Sequence, residues 1–159
     1  MLSRDITLPI RSLRLKSCYR FEEPNDITEL IIAAMQRRTE TFELNMLFNT
    51  FDMKLASNIF TCRTLTVLKI NGLSIMDDIP KINNNISLIK TLHLDGVHSP
   101  NHRHIINLLL SFPILEELQT NNVYAFIHVP KTTADKIKRL PNLVKLFLSS
   151  CFPRHKVSV

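Results

Sequence analysis

The polar side chains of this 159-residue chain that could do chemistry together fall into a spacing that recurs six times. The spacing is apolar, two residues, apolar, one, apolar, two, apolar. It runs through IRSLRLKSC (10–18), TETFELNML (39–47), LTVLKINGL (65–73), IKTLHLDGV (89–97), LEELQTNNV (115–123) and LVKLFLSSC (143–151). Between the second and third apolar positions stand Arg14, Glu43, Lys69, His93, Gln119 and Phe147. Two residues further on stand Lys16, Asn45, Asn71, Asp95, Asn121 and Ser149. Side chains alternate along a strand, so if each segment is a strand with its apolar positions turned inward, both rows face outward together. Amides, charges of both signs, an imidazole and one aromatic ring can hydrogen-bond, pair and stack. That is the chemistry of recognition by contact. The binding candidates are Arg14, Lys16, Glu43, Asn45, Lys69, Asn71, His93, Asp95, Gln119, Asn121 and Phe147. An ordinary wetted sheet face would carry the same mixture, and the sequence leaves the two readings open.

Other reactive side chains have plainer explanations. His98, His102 and His104 in HSPNHRH have no Cys-x-x-Cys arm at zinc-finger spacing, and a polar loop before a helix accounts for them. Cys18 and Cys151 occupy the fourth repeat position, where a small side chain packs inside the turn. Glu116 and Glu117 are neighbours on a strand, point to opposite faces and cannot work as an acid and base pair. There is no phosphate loop, nucleophile elbow or helix-borne metal motif. No enzyme activity, cofactor or metal is expected.

The elements that must hold the two rows follow from the repeat length. Aligned on Leu13, Phe42, Leu68, Leu92, Leu118 and Leu146, the repeats are 29, 26, 24, 26 and 28 residues long. This is the period of a leucine-rich repeat. The expected fold class is therefore α/β: a solenoid of about six parallel strands in chain order, with helical or irregular crossovers, forming a single domain over 1–159. Its outward rows would line the open, concave side.

A helix is expected from Asn25 or Asp26 through Arg38, with Ile27, Leu30, Ile31, Ala34 and Met35 at helical spacing and Arg37 and Arg38 at its negative end. A second is expected over about 101–112, with Ile105, Leu108, Leu109 and Phe112 inward and Pro113 ending it. A third covers about 133–140. Residues 53–60 suggest a short helical turn and 77–86 a loop. Gly72, Gly96, Ser17, Asn122 and Ser150 share the slot where a strand turns out of the sheet. The fourth position, where asparagine often bonds the next turn, reads Cys18, Leu47, Leu73, Val97, Val123 and Cys151, so an asparagine ladder is missing.

Composition narrows the partners. A net charge of +6 would suit anions, but the basic residues are scattered and lack interleaved aromatics, so nucleic acid is not the expected partner. The alternative to a protein partner is an anionic ligand, a nucleic acid or inositol phosphate, held by Arg11, Arg14, Lys16, Lys69 and Lys145. The opening MLSRDITLPIRS has no apolar core of a secretory signal, and the longest apolar run, near 105–112, is too short to span a membrane. An odd count of three cysteines fits a reducing compartment, so cytoplasm or nucleus is expected.

Three segments carry a resemblance beyond the period. ASNIFTCRTLTVLKINGL (56–73), SLIKTLHLDGV (87–97) and INLLLSFPILEEL (106–118), with the opening LPIRSLRLKSC, resemble the leucine-rich-repeat region of plant F-box proteins of the F-box/FBD type. The Phe-Thr-Cys and Pro-x-Leu-Glu-Glu-Leu elements make the likeness specific. The resemblance implies that the repeats hold a protein substrate while an F-box docks to a cullin-based ubiquitin ligase. The chain shows neither the F-box nor the FBD pattern, so it is expected to be a fragment or truncated paralogue that does not bind the ligase adaptor by itself.

Overall fold

The structure is a computed structural model that describes residues 8–17, 24–46, 58–72, 87–99, 102–123 and 140–149. Its strands are β1 (Ser12–Ser17), β2 (Thr41–Met46), β3 (Val67–Asn71), β4 (Thr91–Asp95), β5 (Glu117–Asn121) and β6 (Lys145–Ser149). All pair in parallel and in chain order, so each crossover leads to the next strand of one sheet. Leu13, Phe42, Leu68, Leu92, Leu118 and Leu146 are direct cross-strand partners, which is the alignment the spacing requires. Alternation does the rest. Phe42, Leu44, Leu68, Ile70, Leu92, Leu94 and Leu118 are all buried, while the residues between them are half-exposed. The fold is an α/β leucine-rich-repeat solenoid.

A second regularity is written in the backbone. The carbonyl oxygen of Arg11 accepts from the N–H groups of both Glu40 and Thr41, and that of Glu40 from Thr66 and Val67. Thr66, Lys90 and Glu116 repeat the pattern toward β4, β5 and β6. One carbonyl per repeat thus takes two successive amides of the next, which fixes the stagger at every step and satisfies donors at the strand entrances. Two of these entrances are X-Pro-x-Leu turns. In 112–115 the Leu115 N–H donates to the Phe112 carbonyl, and in 140–143 the Leu143 N–H donates to that of Leu140, each at 3.2 Å. Proline in the second position presets the turn.

The crossovers contribute α1 (Pro24–Gln36), α2 (Asn58–Thr61) and α3 (His102–Leu110). The expected cap of α1 at Asn25 or Asp26 is corrected: the helix starts at Pro24, whose fixed φ and missing N–H suit a first helical position. It also ends earlier, at Gln36. Arg38 has φ 58°, the left-handed stop common at helix ends. The Arg37 guanidinium does not serve the helix end; its Nε and Nη2 donate to the Leu8 carbonyl at 3.1 and 2.8 Å and tie down the approach to β1. Ile31 and Ala34 are buried, but Leu30 is 48% exposed, so the inward stripe is narrower than the apolar spacing. In α3, Ile105, Leu108 and Leu109 are fully buried, as is Phe112 just past its end. Among the described residues no helix is long and apolar enough to cross a membrane.

The Phe-Thr-Cys segment has a physical purpose. Phe60 is buried and tilted against Phe112, ring centroids 6.1 Å apart, which joins the crossover before β3 to the crossover before β5. The Thr64 hydroxyl donates to the Thr39 carbonyl at 3.0 Å and so leaves its oxygen to accept from the Cys62 thiol, 3.3 Å away. The buried Thr39 hydroxyl in turn donates to the Ala34 carbonyl near the end of α1 at 2.7 Å. Threonine here satisfies backbone groups that an aliphatic residue would strand. Val97 and Val123, at the fourth repeat position, are buried. Cys18, Leu47, Leu73 and Cys151 at that position lie outside the described residues, as do the loop at 77–86, the start of the turn at 53–60, Ser150 and nearly all of the helix expected at 133–140.

Candidate functional site: the open face of the sheet

The register places Arg14, Glu43, Lys69, His93, Gln119 and Phe147 side by side, one per strand, and Lys16, Asn45, Asn71, Asp95, Asn121 and Ser149 in a parallel row. All eleven candidates therefore lie on one face. Eight of them, Glu43, Asn45, Lys69, Asn71, His93, Asp95, Gln119 and Asn121, line a shallow depression of about 160 Å³ at its centre. Arg14, Lys16 and Phe147 flank it toward the two ends of the sheet.

A third outward row was not singled out from the sequence: Ser12, Thr41, Val67, Thr91, Glu117 and Lys145. The same alternation, carried two residues toward the strand entrances, would have found it. It matters because Glu117 organises the charges of the face. Glu117 Oε1 lies 3.0 Å from His93 Nε2, and its Oε2 lies 3.4 Å from Lys145 Nζ. An ionised carboxylate only accepts, so the imidazole carries its proton on Nε2 toward Glu117. The hydrogen bond from His93 is the largest influence on the Glu117 carboxyl and lowers it; burial, next in size, opposes this, and the hydrogen bond and charge of Lys145 add to the lowering, so the carboxyl stays below the usual range.

Glu116, by contrast, points to Lys90 at 2.9 Å. Among the described residues the two glutamates share no partner, in keeping with their opposite orientations. Elsewhere on the face, Arg14 donates from both Nε and Nη2 to Glu43 Oε2 at 2.9 Å, and Asn122 Nδ2 donates to Asp95 Oδ1 at 3.2 Å. These contacts are solvent-exposed or partly so and add little stability individually. Their effect is to set which charges remain available.

The depressed pKa gives a pH signature. A carboxyl whose folded pKa is lowered stabilises the fold at pH values above its ordinary range, and the contribution disappears as pH falls through the folded value. Glu117→Gln is therefore expected to melt below wild type at neutral pH, with the gap closing once the pH drops below about 4. Thermal melts from pH 8 to pH 3 measure this. A gap that persists unchanged at the acid end contradicts the His93–Glu117–Lys145 arrangement.

Among the described residues no group of three or more His, Cys, Asp or Glu side chains is placed to hold a metal. His98 and His104 sit on opposite sides of the stretch 100–101, which lies outside the described residues, and Cys62 bonds to Thr64.

Comparison with known proteins agrees with the repeat architecture. An FBD-associated F-box protein of Arabidopsis thaliana is 32% identical over 115 residues, covering 70% of this chain and 27% of that protein. A putative F-box/FBD/LRR-repeat protein of the same plant is 30% identical over 146 residues, 90% of this chain and 30% of the relative. A third, an F-box/FBD/LRR-repeat protein, is 29% identical over 132 residues, 82% and 29% respectively. No family model matches the chain, and no solved structure does. The chain spans 27–34% of the length of the curated relatives it matches, and it belongs to the family of plant F-box/FBD/LRR-repeat proteins.

Proposed function

We propose that the open face of this solenoid binds a protein and that the chain serves as a substrate-recognition region in an F-box-type ubiquitin ligase. The observation that carries the reading is the alignment of eleven polar, charged and aromatic side chains in two adjacent registers on one sheet face. A sheet held in register by a paired amide contact at each step is a preformed surface, so a partner binds without a large cost of ordering it. The names of the relatives supply the F-box context. Recognition of a ligase adaptor would belong to an F-box rather than to these repeats.

The anionic-ligand reading is weaker on charge. Of its five basic residues, Arg14 is committed to Glu43 and Lys145 to Glu117. A phosphate would have to displace a carboxylate at both.

The test is affinity capture from plant extract with three baits: wild type, a face variant carrying His93→Ala and Gln119→Ala, and a control carrying Asn107→Ala on α3. A protein retained by wild type and control and lost with the face variant is the expected result. Capture that is unchanged by the face variant, or that collapses steeply with salt as phosphate contacts do, counts against the reading.

A further inference from the structure

The chemistry of the partner can be taken further, resting on the recognition role just proposed. The starting point is which charges on the open face are already spent. Arg14 has Glu43 at 2.9 Å and Lys145 has Glu117 at 3.4 Å. Lys69 has no carboxylate within ion-pair distance among the described residues, and it stands in the wall of the central depression.

That depression is too small for a metabolite. Small-molecule sites enclose about 300–1,000 Å³, whereas this one holds about 160 Å³, enough for one side chain inserted from a larger partner. The cation left for that side chain to meet is the Lys69 ammonium, while the Asp95 carboxylate in the same wall accepts from Asn122 Nδ2 at 3.2 Å. A carboxylate satisfies the ammonium.

The second feature is Phe147, a large aromatic ring 56% exposed next to Leu146, which packs against the core. Lys69 and Phe147 belong to the same register row, on β3 and β6, with His93 and Gln119 between them. Parallel strands lie about 4.8 Å apart, so three steps separate the two by about 14 Å. An extended chain rises about 3.4 Å per residue, so the same distance is four residues. Residues four apart in an extended segment also share a face, whereas in a helix they are only about 6 Å apart. His93 and Gln119 would then lie under the intervening residues, where their polar groups can meet peptide N–H and C=O groups.

We propose that the open face binds an extended protein segment laid across the strands, with an aspartate or glutamate over Lys69 and a large apolar side chain, four residues away, against Phe147. Neutral pairing toward both ends of the face sharpens this selection, since Arg14–Glu43 in the same row and Lys145–Glu117 in the row beside it are already paired.

The test uses the full chain and a set of nine-residue, end-capped synthetic peptides. Each carries one fixed acid, with a Phe or Leu two to six positions away in either direction, and binding is followed by fluorescence polarisation. Tightest binding is expected at a separation of four. Lys69→Glu should weaken the acidic peptides about tenfold or more and favour the same peptides with lysine in place of the acid. Phe147→Ala should erase the preference for the apolar residue while the acid preference stays. Both variants alter partly or largely exposed side chains, and melts matching wild type establish that they fold.

Absence of peptide binding, absence of a preferred separation, or an acid preference that survives Lys69→Glu overturns the proposal. So does a single-stranded oligonucleotide that outcompetes every peptide with a steep salt dependence. Binding that depends on the face but peaks at another separation sinks this inference alone and leaves the recognition role standing. Binding indifferent to Lys69→Glu, His93→Ala and Phe147→Ala together removes the face from both.

Discussion

Leu92→Asp is expected to abolish the cooperative unfolding transition. Leu92 is fully buried on β4, in the register row between Leu68 and Leu118, with α3 and its flanking residues covering the interior of the same sheet. The substitution removes an aliphatic side chain from a packed row and puts a carboxylate there with no cation beside it. Loss of packing alone costs about 2–5 kcal/mol, and an unpaired buried charge adds several more unless it is neutralised. A domain of this size is stable by only about 5–15 kcal/mol, so the native state should not survive as the major species at room temperature. Circular dichroism melts and the dispersion of amide proton resonances read the outcome. A cooperative melt within a few degrees of wild type would mean that Leu92 does not point inward, and the register of every repeat would fall with it.

That register is the part of the fold legible in the sequence, and the reason is geometric. A period of two within each segment assigns faces, and a slip of one residue in any strand would expose its apolar set, so the alignment on Leu13, Phe42, Leu68, Leu92, Leu118 and Leu146 has no close competitor. The pattern even outranks residue polarity. Thr39 and Thr120 occupy positions that other repeats fill with aliphatic residues, and both are buried. For Thr39 the hydroxyl is satisfied by the Ala34 carbonyl.

Helix ends were less legible because several residues compete for the same role. Asn25 and Asp26 are good caps, but Pro24 is a good first residue, and with proline at the start both become part of the first turn. Arg37 looks like a charge placed for a helix end, yet a nearer acceptor, the Leu8 carbonyl, takes it. Such choices depend on which atoms are close in space.

The candidate face was legible as a set of positions and illegible as a set of charges. The rows of Arg14 and Lys16 follow from alternation, but the pairing of His93 with Glu117, one strand over and two residues out of row, does not. Diagonal contacts of this kind arise because long side chains reach past their direct cross-strand neighbour. The direct cross-strand pair Glu117–Lys145 neutralises Lys145, whereas among the described residues no carboxylate reaches Lys69, and hence it is at Lys69 that a partner's carboxylate would find an ammonium.

The strand exits supply the second large effect. Gly72, Gly96 and Asn122 all have positive φ, at 76°, 56° and 51°, in the slot that ends β3, β4 and β5. The shared backbone turn carries the ladder one bond further, with the Gly72 N–H donating to the Asp95 carbonyl at 2.9 Å and the Gly96 N–H to that of Asn121 at 3.1 Å. Asn122 shows that a side chain is tolerated in this conformation where there is room, since asparagine enters the left-handed region more easily than most residues. Room is what separates the two glycines. A Cβ on Gly96 would meet Asn71 Oδ1 at 3.5 Å, an ordinary contact, whereas a Cβ on Gly72 would collide with the Met46 carbonyl oxygen at the end of β2. Gly96→Ala should therefore cost only the backbone strain, about 1 kcal/mol. Gly72→Ala must in addition push the end of β2 away from β3, a backbone shift of the kind that costs about 1–3 kcal/mol more. With about 2–4 °C per kcal/mol for a chain of this length, the expected fall in melting temperature is about 3 °C for Gly96→Ala and about 10 °C for Gly72→Ala. The comparison within one slot removes the shared contribution of φ, so equal melting temperatures for the two variants would show that β2 and β3 do not approach each other at Gly72 as closely as the register requires.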